Sequence, residues 1–100
     1  MRASIRWGRF IWDQEKESDN LARHGIDFRT AAKAFLDSHC LMVEDSKHSQ
    51  EEPRWFCIGD IGGTVVTARF TYRGRQIRLI GAGFWRKGKK LYEKTKNSRS

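Results

Sequence analysis

The sequence predicts a single α+β domain, in which two N-terminal helices pack on an antiparallel β-meander and a basic helix follows. The first observation is segment 54–82, where three runs rich in β-branched and aromatic residues are separated by turns that contain glycine. The second is segment 28–37, whose apolar residues have helical spacing. A length of 100 residues suffices for one modest core, and residues 1–8 and 95–100 are expected to fray.

The N-terminal part predicts a short strand at residues 9–12 and a helix at residues 13–24. Asp13 is a good N-cap, and Gly25 readily adopts the left-handed conformation that ends a helix. Acidic residues in the first turns and basic residues in the last turn complement the helix dipole. Three polar side chains share one stripe of this helix, and we interpret them as structural: Lys16, Asn20 and His24.

A second helix is predicted at residues 28–37, with Asp27 as its cap and an apolar face that packs on the meander. That face comprises Phe28, Ala31, Ala32, Phe35 and Leu36. Residues 39–44 are predicted as a further strand, and residues 45–54 as a polar loop in which Pro53 excludes a helix. The final helix is predicted to start at about Lys87, with its basic residues exposed.

The turns set the register of the meander. If each glycine-containing pair is a two-residue loop, Ile61 faces Thr64 and Tyr72 faces Arg75. Counting from these pairs gives an apolar face that we expect to form the core: Trp55, Cys57, Val66, Ala68, Phe70, Ile77 and Leu79. The opposite face is mostly polar: Arg54, Phe56, Ile58, Thr67, Arg69, Thr71, Gln76, Arg78 and Ile80.

In this register Phe56, Arg69 and Arg78 form one row across the polar face. Like charges on directly opposed residues destabilise a sheet by about 0.2 to 1 kcal/mol unless an anion lies between them. A phosphate would be a suitable anion. The alternative is that both guanidinium groups extend into solvent, as exposed arginines commonly do.

The net charge of +8 is concentrated in the last third of the chain. Residues 1–68 carry nine Lys and Arg against eleven Asp and Glu, a net charge of −2. Residues 69–100 carry eleven basic residues against one acidic residue, a net charge of +10. Such a surface attracts a polyanion such as RNA or DNA, and also an acidic protein or a membrane surface.

Cysteine and histidine usage indicates no metal site. Cys40 and Cys57 are far apart in sequence and are interpreted as small apolar residues, while the spacing of the three histidines fits no zinc motif. No cofactor is expected. The chain has neither an apolar run of membrane-spanning length nor a signal-peptide pattern, so we expect a cytoplasmic protein without membrane association.

Two stretches resemble a known family. The first runs Trp12-Asp13-x-x-Lys16-x-x-x-Asn20-x-x-x-His24-Gly25-Ile26-x-Phe28, and the second runs Asp45-x-x-His48-Ser49-x-x-Glu52-x-Arg54-x-x-x-Ile58-Gly59. Both resemble the BrnT toxins of bacterial type II toxin-antitoxin systems, and the match extends through Arg78 to Tyr92-Glu93. The resemblance implies a compact RelE-like α+β fold, ribonuclease activity that halts translation, and neutralisation by a cognate antitoxin of the BrnA type.

The chain departs from the family pattern at the end of the meander. Many members carry Ile-Ser-Ala-Arg where this chain has Ile80-Gly81-Ala82-Gly83, so the serine and arginine of that motif are absent. Arg86 or Lys87 could supply the missing charge. The departure leaves an alternative function open, a catalytically impaired module that binds nucleic acid or the antitoxin, with Phe84, Trp85 and Ile58 or Ile80 as anchors for a protein partner.

Metal-independent RNA cleavage needs a base for the 2′ hydroxyl, cations for the phosphate and an acid for the leaving 5′ oxygen. Glu52 or His48 is a candidate base, and Tyr92 or His48 a candidate acid. Arg54, Arg69 and Arg78 are candidates for holding the phosphate. Further candidates for RNA binding are Phe56 or Trp85 for stacking a base and Arg86, Lys87, Lys89 and Lys90 for the backbone. Without the resemblance, the alternative interpretation of the loop at residues 45–54 is a solvated turn in which Glu52 pairs with Arg54.

Overall fold

Six strands and three α-helices follow one another along the chain in the computed structural model, which describes residues 3–48 and 52–98. The strands are β1 Ser4–Trp7, β2 Phe10–Asp13, β3 Leu41–Glu44, β4 Arg54–Ile61, β5 Thr64–Arg73 and β6 Gln76–Gly83. The helices are α1 Gln14–His24, α2 Phe28–Ala32 and α3 Arg86–Ser98, with short 3-10 helices at Lys33–Leu36 and Ser46–His48. The predicted α+β class is confirmed.

All six strands belong to one sheet with the order β1-β2-β6-β5-β4-β3. The predicted meander is confirmed as β4, β5 and β6, and β3 extends it at one edge. At the other side β2 pairs with β6 in parallel, and β1 pairs antiparallel with β2. Residues 1–8 were expected to fray, but β1 forms within this segment. It forms because Gly8, at φ 61°, closes a tight hairpin that pairs β1 with β2.

The first predicted hairpin register is confirmed, since Ile61 pairs with Thr64. The second is wrong: Tyr72 pairs with Ile77 instead of Arg75, and the loop is 74–75 instead of 73–74. Gly74 therefore takes the first loop position, where its φ of 61° suits glycine and where a primed hairpin turn needs a positive φ. A shift of two residues preserves the side-chain alternation, so the residues of β6 up to Leu79 keep their predicted faces.

The corrected register breaks the predicted row of Phe56, Arg69 and Arg78. Phe56 does pair with Arg69, but Arg69 pairs with Gly81 on its other side. A register shift between Arg69 and Phe70 leaves one residue of β6 without a partner in β5, as in a β-bulge. Arg69 and Arg78 are therefore not side by side, and the predicted like-charge pair does not form.

The predicted apolar face is confirmed as the core. Cys57, Ala68 and Phe70 are fully buried there, and α2 with the following 3-10 helix covers them. The helix predicted at 28–37 is shorter than expected, because the chain tightens into a 3-10 helix after Ala32. The tighter spacing buries Ala34 and leaves Leu36 82 % exposed, so Leu36 is wrongly assigned to the buried face.

The ends of α1 follow the sequence prediction. The Asp13 carboxylate accepts hydrogen bonds from the backbone N–H groups of Glu15 and Lys16, and Gly25 ends the helix at φ 71°. The cap of α2 differs. Asp27 makes no side-chain cap there, and Glu17 instead accepts the Phe28 N–H at 2.9 Å. Glu17 also accepts from the Trp12 indole at 3.0 Å, which ties α1 to both neighbouring elements.

α3 crosses the polar face of the sheet near the end of β4 and the start of β5. Gly88 lies directly over the Thr67 hydroxyl, so closely that a Cβ at this position would overlap it. Ile58 and Thr67 are buried beneath the helix. α3 starts at Arg86, one residue before the predicted start. It continues to Ser98, into the segment 95–100 that was expected to fray.

Candidate nucleic-acid interface

Four arginines surround Thr71 on the polar face of the sheet. Arg54 and Arg78 are its direct partners on the two neighbouring strands. Arg69 and Arg73 precede and follow it by two residues on β5, so their side chains leave the same face. We call these four residues the arginine patch. Thr71 itself is only 1 % exposed, and its hydroxyl donates to the Pro53 carbonyl at 2.7 Å.

Carboxylates hold two members of the arginine patch. Arg69 Nε lies 3.2 Å from Asp45 Oδ2, an ion pair without the geometry of a hydrogen bond. Arg73 Nε lies 3.5 Å from Glu52 Oε2, a pair that is partly exposed to solvent. Both carboxylates belong to the connection between β3 and β4, and the Asp45 N–H donates to the Arg54 carbonyl at 2.8 Å. The connection is thereby attached to β4 and β5 beside Thr71.

A group of aromatic rings continues the same face toward α3. Phe56 pairs with Arg69 and contacts Trp85 edge to face, with ring centroids 6.3 Å apart. The His24 ring also contacts the Trp85 ring edge to face, with centroids 6.0 Å apart. Trp85 folds over Gly83, where a Cβ would lie 3.0 Å from Cε2 of the indole. The indole remains 38 % exposed, so its surface is available to a planar ligand.

Basic side chains of α3 lie beyond Trp85. All four predicted RNA-binding cations of this helix are exposed: Arg86, Lys87, Lys89 and Lys90. Gly88, in the middle of this series, faces the sheet. The first turn of a helix also presents unpaired backbone N–H groups and the positive end of its dipole. The arginine patch, the aromatic rings and the start of α3 thus follow one another over one side of the protein.

Tyr92 lies apart from this arrangement. It is 2 % exposed, and its hydroxyl donates to the Asp37 carboxylate. Burial and the hydrogen bond to Asp37 raise the pKa of Tyr92 to about 12. Burial raises the pKa of Asp37, but hydrogen bonds from Tyr92 and from the N–H groups of Asp60 and His39 outweigh it and lower that pKa overall. This contact fastens α3 to the chain around Asp37.

The structure brings the predicted phosphate-binding arginines to one patch, with Glu52 at its border. Glu52 is paired with Arg73 and not with Arg54, the partner that the solvated-turn alternative required. His48 ends the second 3-10 helix, and its side chain is outside the described part of the protein. Its predicted role as base or acid stays a prediction, as does the role of Tyr92 as acid.

Sequence reasoning missed Arg73 and Asp45 as members of this site. Arg73 was placed in a turn, and only the corrected loop at 74–75 makes it a strand residue on the same face as Thr71. The sequence predicts a polar loop at Asp45, whereas in the structure this residue is 6 % exposed and paired with Arg69. Its position directly after the predicted strand 39–44 was a usable signal, because β3 and β4 form an antiparallel pair that brings Asp45 next to Arg54.

Two further observations apply to residues 3–48 and 52–98. No three His, Cys, Asp or Glu side chains in these ranges lie close enough together to hold a metal ion. No helix within them is long and apolar enough to cross a membrane.

The fold and this face together indicate the class of protein, a small α+β protein with a cationic, aromatic surface suited to a nucleic acid. A protein-family model described as the ribonuclease toxin BrnT of type II toxin-antitoxin systems matches residues 12–88. The chain belongs to this family, which confirms the resemblance found in the sequence. Family membership implies ribonuclease activity, an RNA substrate and an antitoxin partner. No curated protein sequence matches the chain.

Proposed function

We propose that the protein is a metal-independent endoribonuclease of the cytoplasm that cleaves mRNA, inhibits translation and is neutralised by a BrnA-type antitoxin. The observation that carries the proposal is the arginine patch, where Arg54 and Arg78 flank Thr71 on the polar face of the sheet. Guanidinium groups bind phosphate oxygens through paired N–H donors. Their charge neutralises the phosphate as a bound metal ion would do in another enzyme.

In the proposed reaction the 2′ oxygen attacks the adjacent phosphorus, and the bond from phosphorus to the 5′ oxygen breaks. The products are a 2′,3′-cyclic phosphate and a 5′ hydroxyl. Glu52, held beside the patch by Arg73, takes the proton of the 2′ hydroxyl. Arg54, Arg69 and Arg78 stabilise the charge that develops on the phosphate oxygens. An acid then gives a proton to the 5′ oxygen. His48 is the candidate on the connection that carries Glu52, whereas Tyr92 could act only after leaving its hydrogen bond to Asp37.

The aromatic rings suit the base next to the cleaved phosphate. Phe56 is the direct neighbour of Arg69, and Trp85 contacts Phe56 while remaining partly exposed. A base stacked on Trp85 would therefore be attached to a phosphate that is within reach of Arg69. Arg86 and Lys87 would contact the backbone that continues beyond this base.

The test incubates purified protein with mRNA, with and without ribosomes and with a metal chelator. We expect fragments that end in 2′,3′-cyclic phosphate under all conditions that contain a cleavable RNA. Arg54→Gln and Arg78→Gln should each lower the rate by roughly 100-fold or more, as removal of a donor to a transition-state oxyanion does. Arg75→Gln is the matched control, because Arg75 is an exposed residue in the loop between β5 and β6.

Cleavage that stops when the chelator is added would contradict metal independence. Intact RNA under all conditions would contradict the nuclease proposal and favour the second candidate, a module that binds RNA or the antitoxin without cleaving. That candidate is favoured by Gly81 and Gly83, which carry no side chain where many family members have serine and arginine. Growth arrest on expression, relieved by co-expression of the BrnA-type partner, tests the toxin role separately.

A further inference from the structure

A row of side chains crosses five of the six strands at the arginine patch and extends beyond it. Arg54, Thr71 and Arg78 occupy β4, β5 and β6, and the parallel pairing of β6 with β2 places Ile11 next to Arg78. The hairpin of β1 and β2 then places Arg6 opposite Ile11. Directly paired residues project to the same face of a sheet, so Arg6 belongs to the face that carries the arginine patch.

Arginines recur at every second strand along this row. Strands lie about 4.8 Å apart, so the backbones of Arg6 and Arg78 are separated by roughly 10 Å, as are those of Arg78 and Arg54. Each guanidinium can reach several ångströms from its backbone, and the right-handed twist of the sheet turns successive strands gradually. The row thus presents three cations along a curved line that runs across the strands.

Arg6 forms no ion pair with a carboxylate within residues 3–48 and 52–98. Arg6 is exposed on β1, an edge strand of the sheet. The nearest carboxylate on this face of β2 is Asp13, which already accepts hydrogen bonds from the N–H groups of Glu15 and Lys16. Ile11, which separates Arg6 from Arg78, is apolar and half-buried. The row therefore has an arginine at each end.

We propose that Arg6 binds a phosphate of the RNA strand beyond the cleavage site, so that the strand lies across the sheet from Arg54 to Arg6. The proposal rests on the proposed function, because it takes the arginine patch as the position of the cleaved phosphate. Arg6 then contributes to substrate binding and not to the chemical step, and its contribution depends on the length of the RNA.

The experiment measures affinity with single-stranded 2′-deoxy oligonucleotides, which lack the attacking hydroxyl and stay intact. A dinucleotide fills the arginine patch alone, whereas an oligomer of about twelve nucleotides, within the range of single-strand sites, covers the whole row. Arg6→Gln should weaken binding of the long oligomer about fivefold and leave the dinucleotide unchanged. The slope of log affinity against log salt should fall by about 0.7, the value for one phosphate contact on a single strand.

Lys33→Gln is the matched control. It removes the same charge from an exposed residue of the 3-10 helix that packs on the opposite face of the sheet. Equal losses in Arg6→Gln and Lys33→Gln would overturn the proposal, because Arg6 would then act only through the overall charge. A loss with the dinucleotide as large as that with the long oligomer would overturn it as well.

The two proposals fail in different ways. If the protein does not cleave RNA, no cleavage rate can be compared for Arg54→Gln and Arg78→Gln. The affinities of Arg6→Gln and Lys33→Gln for the long oligomer still test whether the strand reaches Arg6. If the protein cleaves RNA but Arg6→Gln behaves like Lys33→Gln, only the path of the strand beyond the patch is wrong. The unfolding temperature of Arg6→Gln is the control for folding. A value equal to that of the wild type would mean that the substitution does not destabilise the protein.

Discussion

The side-chain amide of Asn20 accepts a hydrogen bond from the backbone N–H of Ala82 at 3.0 Å, across 62 residues of sequence. The other end of the same amide donates to the Ile26 carbonyl at 3.0 Å. β2 pairs with β6 only through Ile77 and Arg78, so the later part of β6 lacks a strand on that side. Asn20 supplies a partner there and joins α1, the turn after it and the sheet.

Asn20→Ala should lower the free energy of unfolding by about 2 to 3 kcal/mol, because it leaves a buried N–H and a buried carbonyl without their partners. Asp19→Ala is the control, since Asp19 is exposed on the same helix and should change stability by less than about 0.5 kcal/mol. Urea unfolding of both variants gives the comparison. Equal stability of the two would mean that the amide of Asn20 adds nothing to the fold.

Tyr92→Phe should destabilise the protein by about 1 to 2 kcal/mol at neutral pH, because Asp37 loses its hydroxyl donor. The pKa of Tyr92 is raised to about 12 in the folded protein, so folding favours its protonated form. Its contribution to stability is therefore complete below the ordinary tyrosine pKa and is lost as the pH rises from there through about 12.

Stability measured against pH separates Tyr92 from the exposed Tyr72. Tyr72→Phe should keep the alkaline loss of the wild type, whereas Tyr92→Phe should reduce it. A Tyr92→Phe curve parallel to that of the wild type would contradict the assignment. If Tyr92 instead acts only as the catalytic acid, Tyr92→Phe would abolish cleavage and leave stability unchanged.

Gly88→Ala tests the close approach of α3 to β5. An alanine would stabilise the helix by roughly 1 kcal/mol through propensity alone, but its Cβ would overlap the Thr67 hydroxyl and shift the helix. We expect a net loss of about 1 to 2 kcal/mol for Gly88→Ala. Combination with Thr67→Ala removes the overlap, so the double variant should be more stable than Gly88→Ala. Additive effects in this double-mutant cycle would show that the two residues do not interact.

Gly81 and Gly83 should differ in their tolerance of a side chain. A Cβ at Gly81 would lie 3.7 Å from Asn20 Oδ1, an ordinary contact, so Gly81→Ser should change stability by less than about 0.5 kcal/mol. A Cβ at Gly83 would lie 3.0 Å from the Trp85 indole and must displace it. Gly83→Ala should therefore alter the environment of Trp85, measured as a larger change in tryptophan fluorescence than Gly81→Ser produces.

Local patterns predicted the parts of the fold that are determined locally. Asp13 and Gly25 delimit α1 through contacts within a few residues, and the alternation of β4 and β5 assigns each side chain to a face. The parallel pairing of β2 with β6 had no comparable signal, because a strand of four residues does not specify a distant partner. The second loop was misplaced because both alternatives contain Gly74 and preserve the alternation of faces.

The same limits apply to the candidate site. Side-chain parity placed Arg54, Arg69 and Arg78 on one face, and the structure agrees. Their mutual positions depend on the loop at 74–75 and on the bulge in β6, which parity does not detect. The ion pairs of Asp45 and Glu52 depend on where a loop lies in space, and no periodic pattern describes that.

The last strand to be synthesised occupies the middle of the sheet, because β6 lies between β2 and β5. While the ribosome is still making the chain, the N-terminal hairpin has no strand to join, and Arg78 is missing from between Arg54 and Arg6. Long-range pairing of this kind forms late and slowly. A nascent chain therefore has no complete cationic face until residue 83 has emerged, so RNA cannot bind across the whole row before β6 has been synthesised.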